Sequence, residues 1–166
     1  QELIGIVSWL EDRIAEEDVK VILNHKVKEA DLKDFDEIII AAGSTGLKHG
    51  WTMLHPEKWS GNCIPGADSA HVYSYTELLE KQPELGEQIL IFDIMGGRQG
   101  AVVAETLARQ GKVVQFVTQL GQASPDLASS RDWGKVHGML KNLGVTFHVD
   151  CELLSIDNDQ VVMRDL

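Results

Sequence analysis

The sequence lacks several features that would assign it to a class of protein at once. It has 2 cysteines, Cys63 and Cys151, and their separation signals neither a zinc site nor a redox pair. The 26 acidic residues outnumber the 15 basic ones and give a net charge of −11, which argues against nucleic-acid binding. No apolar run approaches the length needed to span a bilayer. We therefore expect a globular protein of a reducing, cytoplasmic compartment that binds neither nucleic acid nor membrane.

Sequence motifs for catalysis are missing as well. The chain contains no G-x-S-x-G and no H-E-x-x-H, and its 6 histidines show no metal-ligand spacing. We assign no catalytic residue and no metal site to this chain.

The most informative feature is a strand–glycine turn–helix–strand pattern over residues 87–118. Apolar runs at 88–92 and 113–117 flank a segment in which, from residue 101 onward, the apolar residues follow helical spacing. A unit of this length requires a parallel strand pair with a right-handed crossover. The turn, M-G-G-R-Q-G at 95–100, brings unpaired N–H groups to a helix N-terminus, where a pyrophosphate would bind. The pattern predicts a dinucleotide-binding unit.

The glycine turn departs from the fingerprint G-x-G-x-x-G in two ways. Gly97 and Gly100 fill the second and third glycine positions, but Met95 occupies the first. The acidic residue that should bind a ribose hydroxyl falls at Thr118 and Gln119, and neither is acidic. A unit that keeps the fold and has lost the ligand is therefore an open alternative. The candidate cofactor-binding residues of this unit are Gly96, Gly97, Arg98, Gly100 and Thr118.

Asp93 follows the first strand and lies beside the glycines in sequence. A carboxylate at this position would repel a pyrophosphate. We therefore expect Asp93 to accept hydrogen bonds from N–H groups of the loop and to stabilise the turn.

Periodicity predicts further elements on both sides of this unit. Helices are expected at 3–14, after the capping-box sequence S-Y-T-E at 74–77, and at 133–143. Strands are expected at 19–23, 37–44, 145–149, 152–156 and 160–163, with a hairpin turn at 158–159. The predicted fold class is α/β: a Rossmann-like, doubly wound parallel sheet followed by an antiparallel β-meander, with part of a second interleaved α/β domain.

In order and spacing, these landmarks resemble one family of multidomain flavoproteins over nearly the whole chain. The matching stretches are V-K-V at 19–21 with Asn24 and Val27, F-D at 35–36, I-I-I-A-A-G-S at 38–44, I-P-G-A-D at 64–68, A-E at 104–105, L-A at 107–108 and L-G-V at 143–145. The family is related to the NADH:flavin oxidoreductases and includes 2,4-dienoyl-CoA reductase, trimethylamine dehydrogenase and related N-demethylating dehydrogenases.

The resemblance implies a division of the chain and a place for its cofactors. Residues 1–44 would be part of an FAD- or ADP-type domain, 45–66 a linker, 67–150 an NAD(P)-binding-like domain, and 151–166 strands that return to the first domain. Gly43 and Ser44 would lie near the flavin-side nucleotide, and Gly96, Gly97 and Gly100 near the phosphates of NAD(P)H. FMN and an iron–sulfur cluster would belong to an N-terminal part that this sequence does not contain.

The resulting interpretation is a dinucleotide-binding fragment of a flavin-dependent oxidoreductase of the reductase or amine dehydrogenase and demethylase type, which positions NAD(P)H and FAD for electron transfer. Its partners would be the nucleotide cofactor and the rest of the parent flavoprotein, with a homo-oligomer forming through that parent. The alternative is a degenerate Rossmann-type scaffold or docking module that binds no nicotinamide cofactor. The middle domain of trimethylamine dehydrogenase-like members is of this degenerate kind.

Overall fold

The structure is a computed structural model that describes residues 4–43, 46, 48–58 and 64–166. Contacts divide the chain into two compact units, Gln1–Gly43 and Ser44–Leu166. The smaller unit contains one α-helix, and the larger contains a parallel sheet with its connecting helices.

In the smaller unit, helix α1 spans Ile4–Glu16, where the apolar spacing predicts a helix. A short 3-10 helix follows at Glu29–Leu32. None of the described residues of this unit is buried. The exposed large apolar side chains of α1 are Ile4, Ile6, Val7, Trp9, Leu10 and Ile14.

The two strands predicted in this unit do not form. Residues 19–23 and 37–43 are in no strand, and the side chains of Ile39 and Ile40 are 92% and 86% exposed. A strand exists only when its backbone groups pair with a neighbour, and none of the described residues pairs with these two segments. The apolar runs alone therefore gave a wrong prediction here.

The larger unit is organised around two consecutive strand–helix–strand crossovers. Strand β1 spans Gln88–Phe92, helix α3 Arg98–Arg109, strand β2 Val113–Val117, helix α4 Trp133–Asn142 and strand β3 Thr146–His148. The three strands are parallel in the order β1-β2-β3, with Gln88 opposite Val113 and Gln115 opposite Thr146. This parallel sheet and the bounds of β1 and β2 confirm the prediction from the apolar runs.

Helix α2 precedes the sheet at Tyr75–Lys81 and begins with the predicted capping box. The Ser74 hydroxyl accepts from the backbone N–H of Glu77, and the Glu77 carboxylate accepts from the backbone N–H of Ser74. Two N–H groups that the helix itself cannot satisfy are thus paired.

The two faces of the sheet meet different partners. Ile89 and Ile91 of β1 pack with the core that α3, α4 and β2 form, which includes the fully buried Phe116. Phe92 is on the opposite face and packs with a second cluster around Leu153. This alternation is the side-chain period of a strand, and it shows that β1 contacts apolar side chains on both faces.

The described residues do not form a doubly wound sheet. A sheet in sequence order with right-handed crossovers has both connecting helices on one face, and side chains of α3 and α4 pack in the same core cluster. The observed architecture is therefore mixed α/β with one helical layer on a three-stranded parallel sheet.

The predicted three-stranded meander is a two-stranded hairpin. Strands β4, Cys151–Ile156, and β5, Val161–Asp165, form a separate antiparallel sheet. The first strand of the expected meander is β3, which pairs with β2 in the parallel sheet instead. A crossover helix precedes β3, and a strand that follows such a crossover runs parallel to its partner. No helix of the described ranges is long and apolar enough to cross a bilayer.

Candidate functional site

The glycine turn connects the end of β1 to the start of α3. Gly97 is the N-cap residue of α3, has an extended backbone, and offers no side chain to the helix. The N-terminus of α3 thus receives no side-chain hydrogen bond from its cap residue. The first N–H groups of α3, which no helical carbonyl can satisfy, are therefore free to bind an external acceptor.

Two glycines of the turn are required by close packing. Gly96 has φ +71°, and a Cβ there would lie 2.8 Å from the Leu120 side chain and 3.0 Å from Pro125. A Cβ at Gly100 would lie 3.0 Å from the Phe116 ring and 3.1 Å from the Asp93 carboxyl carbon. Gly100 thus has the role of the third fingerprint glycine, which allows helix and strand to approach closely.

Met95 neither strains the glycine turn nor blocks it with its side chain. Its backbone lies outside the left-handed region that would demand glycine, and its side chain is 77% exposed. A methionine is therefore tolerated at the first fingerprint position, because the chain makes its left-handed residue one place later, at Gly96.

Asp93 stabilises the turn from inside, as its position in the sequence predicts. Its Oδ1 accepts from the backbone N–H of Met95 at 3.1 Å and from that of Gly96 at 3.4 Å. Its Oδ2 is buried and has no hydrogen-bond partner in the described part of the chain. Burial raises the pKa of Asp93, the two loop amides oppose that shift, and the nearby charge of Asp126 adds to it.

The start of α3 opens onto a cleft of about 420 Å³. The 3-10 helix Pro125–Ala128 forms part of its wall. Its lining combines a helix N-terminus, one cation, one carboxylate, one side-chain amide, two hydroxyls and two apolar side chains. The lining residues are Met95, Gly97, Arg98, Gln99, Asp126, Leu127, Ser129 and Ser130.

Arg98 lines this cleft and forms an ion pair with Asp132. Its Nη2 lies 2.7 Å from Oδ2 of Asp132, which also accepts from the Ser130 hydroxyl at 2.9 Å. The pairing with Arg98, followed by the bond from Ser130, lowers the pKa of Asp132. Both charged side chains are substantially exposed, so the pair is weak and can be exchanged for another anion.

The structure brings four of the predicted cofactor contacts together and leaves the others apart. Gly96, Gly97, Arg98 and Gly100 surround the start of α3. Thr118 is fully buried, and its hydroxyl accepts from the backbone N–H of Leu120 at 3.2 Å. Thr118 therefore offers no accessible group to this cleft.

Gly43 and Ser44 are the two candidates that the resemblance placed near a flavin-side nucleotide. Gly43 belongs to the smaller unit, has φ +71° and is exposed, with no atom within 4 Å of a Cβ built on it. Ser44 lies outside the described residues.

Sequence reasoning missed the wall of the cleft that lies beyond β2. Asp126, Ser129 and Ser130 line the cleft from a stretch in which the sequence predicts no helix or strand, and Asp132 follows directly after it. The available signal was Pro125 followed by an acidic residue, which is a common start of a helical turn. The stretch is anchored to the glycine turn, since the N–H of Asp126 donates to the Gly96 carbonyl at 3.1 Å.

A second buried carboxylate lies at the β4–β5 hairpin. Glu152 is 3% exposed, and its two oxygens contact His55 Nε2 at 2.6 Å and Arg164 Nη2 at 2.5 Å. Burial raises the pKa of Glu152, but the hydrogen bonds from His55 and Arg164 outweigh it, so the pKa lies below its usual value. The cavity beside it measures about 30 Å³, room for about one water molecule and no substrate.

No group of three or more metal-ligating side chains converges within the ranges that the structure describes.

Comparison with known proteins gives a fold and a broad class. No family model matches the sequence, and no curated protein matches it. Among solved structures, 6-hydroxypseudooxynicotine amine oxidase from Pseudomonas geniculata N1 matches 70% of this chain and 17% of its own, with 26% identity and a TM-score of 0.63.

Two further structures are similar at lower identity. Histamine dehydrogenase from Rhizobium sp. 4-9 matches 74% of this chain and 19% of its own, with 20% identity and a TM-score of 0.63. 2-Naphthoyl-CoA reductase, in complex with 2-naphthoyl-CoA, matches 62% and 15%, with 22% identity and a TM-score of 0.56. These two matches establish similarity of fold only.

All three proteins are oxidoreductases by name, and the chain spans less than a fifth of the length of each. The first of them, an amine oxidase at 26% identity, agrees with the oxidoreductase class to which the sequence resemblance points.

Proposed function

We propose that this chain is the nucleotide-binding part of a flavin-dependent oxidoreductase, and that the cleft at the start of α3 holds a phosphate of the nucleotide. The observation that carries the proposal is the uncapped N-terminus of α3 opening onto a cleft of about 420 Å³ with Arg98 on its rim. Free N–H groups and the positive end of a helix dipole favour an anion at such a position.

The residues present fit a nucleotide phosphate at the helix end. Gly97 has no side chain between the cleft and the first N–H groups of α3, so a phosphate oxygen can approach them. Arg98 would supply a charge-assisted hydrogen bond once it exchanges Asp132 for the ligand. Met95 and Leu127 would contact the apolar parts of the nucleotide.

In this proposal the cofactor carries the redox chemistry. When bound, a nicotinamide would supply or accept a hydride, and a flavin would take up or release the corresponding electrons. In it, the residues of this chain bind and orient the nucleotide. The proposal includes NAD(P)H and FAD as cofactors, a doubly wound sheet completed by further chain, and the rest of a longer flavoprotein as the partner of this chain.

A second candidate function is a Rossmann-type module that no longer binds a nicotinamide cofactor. Two observations favour it: Asp93 already occupies the N–H groups of Met95 and Gly96, and the buried Thr118 leaves no ribose contact at the end of β2. A loop whose amides are satisfied by its own carboxylate has less to offer an anionic ligand.

Isothermal titration of the protein with ADP, NADH and NADPH at low salt distinguishes the two functions. Binding in the cleft predicts saturable heats with at least one of the three nucleotides. Absence of binding with all three would contradict the proposal and support the degenerate module.

The variant Gly97→Ala tests where the nucleotide binds. Its methyl group would lie 2.5 Å from the flexible end of the Gln99 side chain, which can move, and the negative φ of Gly97 suits alanine. The fold should therefore persist while the methyl group obstructs the phosphate, with a loss of affinity of about tenfold or more. The matched control is Gly134→Ala in α4, where nothing lies within 4 Å, and it should bind as the unaltered protein does. Equal affinity of the Gly97→Ala protein would place the nucleotide elsewhere.

A further inference from the structure

The cleft has to contact a ribose as well as a phosphate, and the end of β2 provides no group for this purpose. Thr118 is fully buried with its hydroxyl engaged, and the side-chain amide nitrogen of Gln119 is buried as well. The usual ribose contact in dinucleotide-binding folds is a carboxylate in this region, because it accepts hydrogen bonds from the two ribose hydroxyls. A carboxylate from another element would have to replace it.

Asp126 lines the cleft from the 3-10 helix Pro125–Ala128. Its backbone is fixed at both ends: its N–H donates to the Gly96 carbonyl at 3.1 Å, and its carbonyl accepts from the Ser129 hydroxyl at 2.7 Å. The first of these bonds ties Asp126 directly to the glycine turn. Within the described residues its carboxylate makes no hydrogen bond and no ion pair, so both oxygens are available to a ligand.

The charges around the cleft disfavour a second phosphate near Asp126. Arg98 is the sole cation among the residues that line the cleft, and it is paired with Asp132. Asp93 is close enough to Asp126 for the two charges to interact. A ribose 2′-phosphate would add further negative charge beside these carboxylates, and like charges at such distances repel.

We propose that Asp126 accepts the ribose hydroxyls of the bound nucleotide and thereby makes the cleft select an unphosphorylated ribose, as in NADH, over a 2′-phosphorylated one, as in NADPH. This inference rests on the proposed function of the cleft. It assigns the specificity to a residue beyond β2, rather than to Thr118 at its end.

The test compares the affinities of NADH and NADPH for the protein and for Asp126→Asn. We expect the unaltered protein to bind NADH about tenfold or more tightly than NADPH, a preference typical of one lost ribose contact combined with charge repulsion. Asp126→Asn removes the charge without changing the shape, and should weaken NADH binding several-fold while it narrows the preference to about twofold or less. The matched control is Asp159→Asn in the exposed hairpin turn, which should leave both affinities unchanged.

The outcomes separate this inference from the proposed function. If neither nucleotide binds, the proposed function is contradicted and the role of Asp126 with it. If both bind and NADPH binds as tightly as NADH, or if Asp126→Asn keeps the full preference, the role of Asp126 alone is contradicted. Thermal unfolding of each variant shows that a changed affinity does not reflect loss of the fold.

Discussion

The glycine turn and the β4–β5 hairpin each contain a buried carboxylate, but the two carboxylates have different surroundings. Glu152 in the hairpin contacts a histidine and an arginine, one on each oxygen. Asp93 in the turn has only the backbone N–H groups of its own loop, on one oxygen, and its other oxygen has no partner among the described residues. Burial raises the pKa of Asp93, whereas at Glu152 the hydrogen bonds from His55 and Arg164 outweigh the effect of burial and lower the pKa.

The difference distinguishes the ion-pair contact of the hairpin from the turn for which we propose phosphate binding. A buried carboxylate with hydrogen-bond partners on both oxygens stabilises the fold that encloses it. A buried carboxylate with an unsatisfied oxygen costs free energy, and such groups are found where a backbone arrangement is needed for another purpose. Here that arrangement presents the N-terminus of α3 to a cleft.

Among the variants that test this comparison, Glu152→Ala is expected to change the free energy of unfolding most. It removes the acceptor that links His55 to Arg164, and hydrogen bonds to charged groups contribute about 2 kcal/mol each. We expect a loss of about 2–3 kcal/mol in the free energy of unfolding, measured with urea at pH 7. The control Glu105→Ala breaks the exposed ion pair with Arg109 on α3 and should cost about 0.5 kcal/mol or less. Equal costs at the two sites would contradict the structural role of Glu152.

The lowered pKa of Glu152 also predicts that the free energy of unfolding decreases at acidic pH. Because the folded-state pKa of Glu152 lies below its ordinary value of 4.5, its stabilising contribution is present above pH 4.5 and is lost as the pH falls through the folded pKa. Glu152→Gln should therefore be less stable than the unaltered protein at pH 7, and the difference should shrink below pH 4.5. A difference that stays constant down to pH 3 would show that the charge of Glu152 does not matter.

Asp93→Asn is expected to increase the free energy of unfolding, by less than Glu152→Ala decreases it. Because the folded-state pKa of Asp93 is raised, its stabilising contribution is fully present below its ordinary value of 3.8 and is lost as the pH rises through the folded pKa. The asparagine oxygen can still accept from Met95 and Gly96, so the variant should be more stable than the unaltered protein by about 1 kcal/mol at pH 7. Urea unfolding at pH 7 and pH 3.5 measures this gain, and a destabilised variant at pH 7 would contradict it.

The smallest effect is expected from Asp132→Asn, which loosens the ion pair that holds Arg98. A freed Arg98 should raise the affinity for ADP about two- to fivefold at low salt, as titration calorimetry can measure. The gain should vanish when Arg98→Ala is added, because the effect of Asp132 acts through that arginine. A gain that survives in the double variant would show that Asp132 acts on the ligand directly and not through Arg98.

The parallel crossover could be predicted from the sequence because its signals are local. The apolar runs of β1 and β2, Gly97 before α3 and the capping box of α2 lie within a few residues of the elements they define. The same local signals misled at residues 37–43, where an equally apolar run has no partner strand among the described residues. Strand pairing is a property of two segments, and a single run of residues does not encode it.

The sequence allowed the glycine turn of the candidate site to be predicted, but not the residues that reach the site from beyond β2. The glycines and Asp93 lie within eight consecutive residues, 93–100, and the structure places them in a single turn. Asp126 and Asp132 follow β2 and reach the turn only because the N–H of Asp126 bonds to Gly96 and Arg98 bonds to Asp132. His55 and Glu152, 97 residues apart, are likewise joined by the fold alone.

The most direct measurement is a titration of the ¹⁵N-labelled protein with ADP, followed through the backbone amide resonances. Phosphate binding at the start of α3 predicts that the amides of Arg98, Gln99 and Gly100 shift saturably and further than those of Met95 and Gly96, which remain bonded to Asp93. If these three amides stay unchanged while ADP binds, or if no amide responds at all, the start of α3 is not a phosphate site.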